Sequence, residues 1–239
     1  MNYSGYVMLN FYNEPLLDSS LSEKISYIRE MLPNAWILFN SNGDFLTLEN
    51  LNKLYAAGLN QIIVTLHTLP NQTYDDSDRR VAMEKFLRKL KIEKYFDQRI
   101  ESPGRSIMLD ISISETEKIF VATNNWQVYG NDRGGTLKNL RSSQRTTPCV
   151  NPFREICIAY DGTIKPCCNI YFNCANIYGN ANENLLTDIY FDEELCNFRR
   201  ELFIFSRKSG GCATCNTEDN AQSIEQTERK KNLERHKFE

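Results

Sequence analysis

Residues 36–66 read WILFNSNGDFLTLENLNKLYAAGLNQIIVTL, and this stretch sets the fold class. An apolar run, Trp36 to Phe39, closes in the turn Ser41-Asn42-Gly43-Asp44. Thr47 then stands at a capping position ahead of Leu48, Leu51, Leu54 and Tyr55, which share one helical face. Gly58 supplies the left-handed residue that ends a helix, and Gln61 to Leu66 (QIIVTL) is a second apolar run. Strand, helix and strand with short connections form a crossover unit, whose two strands run parallel.

The alternation extends to both sides. Upstream, Tyr6 to Phe11 (YVMLNF) is a strand ending at the Asn13-Glu14-Pro15 loop. Ser20 and Glu23 have capping-box spacing, Leu21, Ile25, Ile28 and Leu32 follow at helical intervals, and Pro33 ends that helix. Downstream, a helix is predicted over Arg80 to Leu90 and a fourth strand over Ile107 to Ile113 (IMLDISI). The expectation is an α/β fold of parallel strands with helices on the outer face. An open or closed barrel and a doubly wound sheet fit this pattern equally.

The chain has 239 residues, enough for one large domain or a main domain with a smaller module. With 41% apolar residues it can bury a substantial core, yet it has no unbroken apolar run of the roughly eighteen residues a membrane span needs. The N-terminus (MNYSGYVMLNF) shows no cationic segment or small-residue cleavage site, so the expected location is cytoplasmic, without a membrane partner. A net charge of −3, with acids and bases interspersed, gives no electrostatic case for nucleic acid.

Cysteine is the unusual count: eight, all after residue 148. The character of the chain also changes at about residue 145. Asp161-Gly162 between two short apolar runs signals a β-hairpin, and a helix in two pieces is predicted between Leu185 and Arg207. The expected organisation is an α/β part over 1–145, a small α+β cysteine module over 146–216, and a charged helical or frayed tail over 217–239.

Within the module, Cys149-x12-Gly162-x4-Cys167 is followed by Cys212-x-x-Cys215. The hairpin turn brings Cys149 near the strand end that carries Cys167, and a C-x-x-C turn offers two adjacent thiolates to one centre. Soft thiolates suit a [4Fe–4S] cluster or zinc and exclude magnesium and calcium. Buried, inert cysteines are the bland alternative, against which four of them with glycine at the turn weigh. Cys157 reads as a packing residue inside a strand, and Cys168 could take the place of Cys167. Cys174 and Cys196 have no partner at ligand spacing and read as structural. His67, ending an apolar strand, reads as a core or rim histidine, and Arg133 suits a solvated loop or carboxylate binding equally.

The cysteine spacing, with CVNPFREICIAYDGTIKPCC, IYGNANENLLTDIY and GGCATC around it, resembles the SPASM/twitch extension of radical S-adenosylmethionine (SAM) enzymes. Nothing like the further cysteines of a full SPASM module follows Cys215, so the single-cluster version is the better match. Earlier segments, YNEPLLD, FNSNGDFLT, IIVTLH and NDRGGTL, resemble successive parts of the radical SAM barrel. The resemblance covers residues 6 to 215 and implies a partial (βα) barrel of parallel strands with an auxiliary [4Fe–4S] cluster at Cys149, Cys167, Cys212 and Cys215. It further implies SAM contacts at Asn13, Glu14, Ser41, Asn42 and Arg133. Asn13 stands where the commonest form of the loop has glycine, a position asparagine fills through its left-handed conformation.

The family's C-x-x-x-C-x-x-C motif, which holds the SAM-cleaving cluster, does not occur, and no cysteine precedes Cys149. The first barrel strand and its cluster loop are therefore expected to be missing. The full-length form would generate a 5′-deoxyadenosyl radical and modify a peptide, a sugar or a small metabolite. The alternative is a non-catalytic iron–sulfur or zinc-binding partner, or a decayed paralogue.

Overall fold

The computed structural model describes residues 2–69, 71–92, 98–140, 143–171 and 176–215. The chain divides into two compact units, Met1–Gly130 and Asn131–Glu239, so the sequence boundary near 145 falls inside the second.

The first unit is built on one six-stranded sheet: β1 (Tyr6–Met8), β2 (Trp36–Ser41), β3 (Gln61–Thr65), β4 (Gln98–Ser102), β5 (Ser106–Ser112) and β6 (Lys118–Asn124). Their spatial order is β1-β2-β3-β6-β5-β4. β1, β2, β3 and β6 are parallel neighbours, as crossover helices require: α1 (Leu21–Met31) joins β1 to β2, and α2 (Leu48–Ala56) joins β2 to β3. α3 (Asp76–Lys89) follows β3. Ile25 of α1, Leu51 and Leu54 of α2 and Phe86 of α3 pack with Ile37, Phe39, Ile62, Val64, Ile107, Ile119 and Val121 of the strands in one buried cluster. Burying a side chain of this size contributes about 1.5–3 kcal/mol.

The strand predicted at Ile107 is a correction. It is β5, and it runs antiparallel to β6 and to β4. The segment from Ile113 to Glu117 that links β5 to β6 is a tight turn, with Ile113 N donating to Glu117 O at 2.9 Å. So short a link cannot carry a crossover, and the parallel partner of β3 is Lys118–Asn124 (KIFVATN) instead.

Local signals held where the side chain had no stronger partner. Thr47 caps α2 with a reciprocal pair, Asn50 N to Thr47 Oγ1 at 3.1 Å and Thr47 N to Asn50 Oδ1 at 2.6 Å. The capping box expected at Ser20 does not form. Ser20 Oγ donates to Asp18 Oδ1 at 2.7 Å, and Lys24 and Ser20 together hold the Asp18 carboxyl down at about 2. After α2 the chain turns at Gly58 (φ 104°), whose carbonyl accepts from Arg29 Nη2 at 2.8 Å. The first unit ends with α4 (Trp126–Tyr129).

The second unit contains α5 (Asn151–Arg154), the hairpin β7 (Cys157–Ile158) and β8 (Ile164–Lys165), then α6 (Leu186–Tyr190) and α7 (Glu193–Phe203). The hairpin turns at Gly162 (φ 84°), and Ile164, Tyr178, Ile189 and Leu195 form a small core. Arg199 of α7 is buried, donates Nε to Pro152 O at 2.8 Å, and lies 3.7 Å over the Tyr190 ring, which ties three helices together. Cys174 and the charged tail over 217–239 lie outside the described residues. Among the described residues no helix is long and apolar enough to cross a membrane.

Candidate metal centre

Four separate backbone features bring the C-terminal cysteines together. Cys149 precedes α5, and its N–H donates to Leu202 O of α7 at 2.9 Å. Cys167 lies just past β8, on the strand that the Gly162 turn folds back. Cys212 closes the 3-10 turn Gly210–Cys212, and Cys215 N bonds to Cys212 O at 3.4 Å. The Cys212 thiol is pushed up to about 12, first by burial and then by the charges of Cys215, Cys149 and Cys167. The Cys212 and Cys167 thiols, which resist ionisation on their own, become thiolates when a soft cation compensates them, so the donor set fits a metal or cluster.

Polar hydrogens are aimed at these sulfurs. Asn131 Nδ2 and Arg145 Nη1 each donate to Cys215 Sγ at 3.8 Å. Asn169 N donates to Cys167 Sγ at 3.4 Å and Asn151 Nδ2 at 3.9 Å. Such N–H donors stabilise charge on ligating sulfur.

Cys167 is buried while Cys168 is exposed. Its bond with Cys157, then desolvation, pushes the Cys168 thiol up to about 12, while its bond with Cys167 acts the other way. The same Cys168 contact, followed by burial, pushes the Cys167 thiol well above its ordinary value. A Glu155 carboxylate oxygen and the Cys167 and Cys168 sulfurs all lie within 4.8 Å of one another, and Cys168 N donates to Glu155 Oε1 at 3.4 Å. Cys157 is buried in β7, and Cys196 is half-buried on α7.

In the first unit, Glu14, Ser41 and Asn42 meet where β1 and β2 end. Glu14 Oε1 accepts from Ser41 Oγ at 2.8 Å, and Oε2 accepts from Asn42 N at 2.9 Å. Asn13 Oδ1 takes Phe11 N at 2.8 Å, and the left-handed residue of the loop is Tyr12 (φ 104°), not Asn13. Arg133 belongs to the second unit, where its φ of 53° follows a bond from its N–H to Asn131 Oδ1 at 2.8 Å. His67 follows β3, and its Nδ1 accepts from Trp126 Nε1 at 3.1 Å.

Sequence reasoning missed Asn131, Asp132, Arg145 and Lys208. Asp132 is fully buried and accepts from Thr214 Oγ1, inside the C-x-x-C turn, at 2.7 Å. Arg145 and Lys208 are also buried. Nothing in a sequence distinguishes these polar residues from solvated ones. The available signals were the NDRGGTL segment, which holds Asn131 and Asp132, and the nearness of Arg145 to Cys149 and of Lys208 to Cys212.

Residues 149–216 match the SPASM family, described as an iron–sulfur cluster-binding domain. The chain is 27% identical to the S-adenosyl-L-methionine-dependent 2-deoxy-scyllo-inosamine dehydrogenase of Niallia circulans over 218 residues, 90% of this chain and 74% of that protein. It is similar to the crystal structure of BtrN in complex with AdoMet and 2-DOIA, with a TM-score of 0.66 and 26% identity over 93% of this chain and 76% of that one. The open conformation of selenomethionine BtrN gives a TM-score of 0.60 at 22% identity, over 94% and 76%, a likeness of fold alone. Residues 149–216 thus carry a SPASM-type iron–sulfur cluster-binding domain, and the chain, with its parallel-dominated sheet and small cysteine-bearing hairpin module, is similar in sequence and fold to a SAM-dependent dehydrogenase.

Proposed function

We propose that this chain holds one [4Fe–4S] cluster through Cys149, Cys167, Cys212 and Cys215, and serves an enzyme that oxidises a hydroxyl group on a sugar-like or cyclitol-like small molecule. The observation that carries the proposal is that backbone bonds tie the cysteine segments into one module, Arg145 N to Ala213 O in the C-x-x-C turn and Cys149 N to Leu202 O, with N–H donors aimed at the Cys167 and Cys215 sulfurs. The substrate class is supported by the similarity to a SAM-dependent inosamine dehydrogenase. Oxidising a secondary alcohol to a carbonyl removes one hydrogen atom from carbon, which the 5′-deoxyadenosyl radical of the full-length enzyme would take, one proton from oxygen and one further electron. A bound auxiliary cluster supplies the acceptor for that electron.

Asn13, Glu14, Ser41 and Asn42, at the ends of β1 and β2, are the proposed SAM contacts of the first unit, and Arg133 is a proposed SAM contact of the second. Glu14 works there by holding the Asn42 backbone and the Ser41 hydroxyl in place, since both of its oxygens accept from them. An oxygen-sensitive cluster suits a reducing compartment, and we place the protein in the cytoplasm.

The test is anaerobic reconstitution of the chain with iron and sulfide. The expected product is brown and holds about four irons per chain, lost on Cys212→Ala. A protein that takes one zinc and no iron overturns the proposal.

A further inference from the structure

We propose that Arg145 sets the reduction potential of the cluster, acting through the sulfur of Cys215. The inference rests on the four-cysteine site proposed above and adds to it a residue outside the ligand set. Arg145 is 6% exposed, and its Nη1 donates to Cys215 Sγ at 3.8 Å. Its Nη2 donates to Pro148 O at 2.8 Å and its Nε to Thr147 O at 3.2 Å, on the segment leading into Cys149.

The backbone of Arg145 is held just as closely. Arg145 N donates to Ala213 O at 2.8 Å, within the C-x-x-C turn, and Arg145 O accepts from Lys208 N at 3.1 Å. The Gln144 side-chain amide adds bonds to Lys208 O at 2.9 Å and to Ala213 O at 3.2 Å. The guanidinium is therefore fixed between two of the segments that supply ligands, and it has no freedom to swing into water.

The electrostatic consequence has a definite sign. A [4Fe–4S] core with four thiolates carries roughly two negative charges when oxidised and roughly three when reduced. A fixed positive charge within hydrogen-bonding distance of one sulfur, away from bulk water, favours the more negative state. Arg145 thus raises the potential and makes the cluster a better electron acceptor. Lysine keeps the charge but not the fork that reaches Pro148, Thr147 and Cys215 together. Arg145→Gln removes the charge altogether.

Iron content and midpoint potential are measured in the reconstituted wild-type chain, R145Q and R145K by a redox titration followed by electron paramagnetic resonance. Wild type without iron overturns the four-cysteine site, and this inference with it. With iron loading equal to wild type, R145Q is expected to shift to a more negative potential, and R145K by less in the same direction. An R145Q potential equal to that of wild type overturns the inference and leaves the site standing. Should R145Q fail to load, the wild-type chain carrying 15N-labelled arginine decides. Its reduced cluster is expected to show a 15N hyperfine coupling, and the absence of that coupling overturns the inference.

Discussion

The Ser41 hydroxyl donates to Glu14 Oε1 at 2.8 Å, joining the end of β2 to the loop that follows β1. The other carboxylate oxygen holds Asn42 N at 2.9 Å, so one side chain satisfies two donors on the next strand's loop. Glu14→Ala strands both donors, and the expected loss of stability is about 1–3 kcal/mol, read by urea denaturation. Glu14→Gln, which keeps one acceptor, should recover part of it. Equal stability of Glu14→Ala and wild type would show that the loop is held by other means.

Gly162→Ala should damage the cysteine module. The residue sits at φ 84°, and an added Cβ would lie 2.2 Å from Asn182 Nδ2 and 2.4 Å from Asn180 Oδ1. Those two amides also donate to Asp161 O at 3.1 Å each, so relieving the clash breaks the turn's own bonds. A cost of about 1–3 kcal/mol follows from the backbone strain. Faster amide exchange in β7 and β8, with lowered iron content, is the expected readout, and unchanged exchange would contradict it.

The cysteines divide into two groups. Alanine at Cys149, Cys167, Cys212 or Cys215 should abolish cluster loading, whereas alanine at Cys157, Cys168 or Cys196 should leave about four irons in place. Cys168 is the informative member, because its exposed thiol touches Cys167 and could replace it. Loss of iron in Cys168→Ala with retention in Cys167→Ala would reverse the ligand assignment.

His67 should leave a signature in the pH dependence of stability. Burial lowers its pKa, with the Asp44 charge acting the other way, and Nδ1 accepts from Trp126. The folded chain therefore keeps the ring neutral while the unfolded chain takes up a proton below about pH 6.5. The contribution of this site is complete above that value and falls as the pH drops toward the folded pKa. Denaturation of wild type and His67→Phe at about pH 7.5 and about pH 5.5 should show the wild type losing more on acidification. Parallel losses would mean that His67 titrates normally.

The first three strands, the three long helices and the Asp161-Gly162 hairpin were legible because each is written in local periodicity or turn chemistry. The direction of β5 was not, since IMLDISI has the same pattern whichever way it runs. The short Ile113–Glu117 link carried that information, because it has no room for a crossover helix. Spacing alone singled out Cys149, Cys167, Cys212 and Cys215 as the candidate ligands. The environment of Cys215 was not legible: Arg145 precedes Cys215 by 70 positions, and its burial depends on the fold that joins them.

The change of direction in the sheet also bears on how the first unit folds. β4, β5 and β6 form a meander of neighbours joined by tight turns, whereas β3 reaches its partner β6 only across everything between Thr65 and Lys118. Closing the short loops costs little chain entropy, and closing the long one must wait for contacts that repay it. The meander is the part of the sheet best suited to form early and serve as a template for the parallel strands. Core substitutions at Leu109 and Val121 should then slow folding more than equally destabilising ones at Ile37, which joins from the far side.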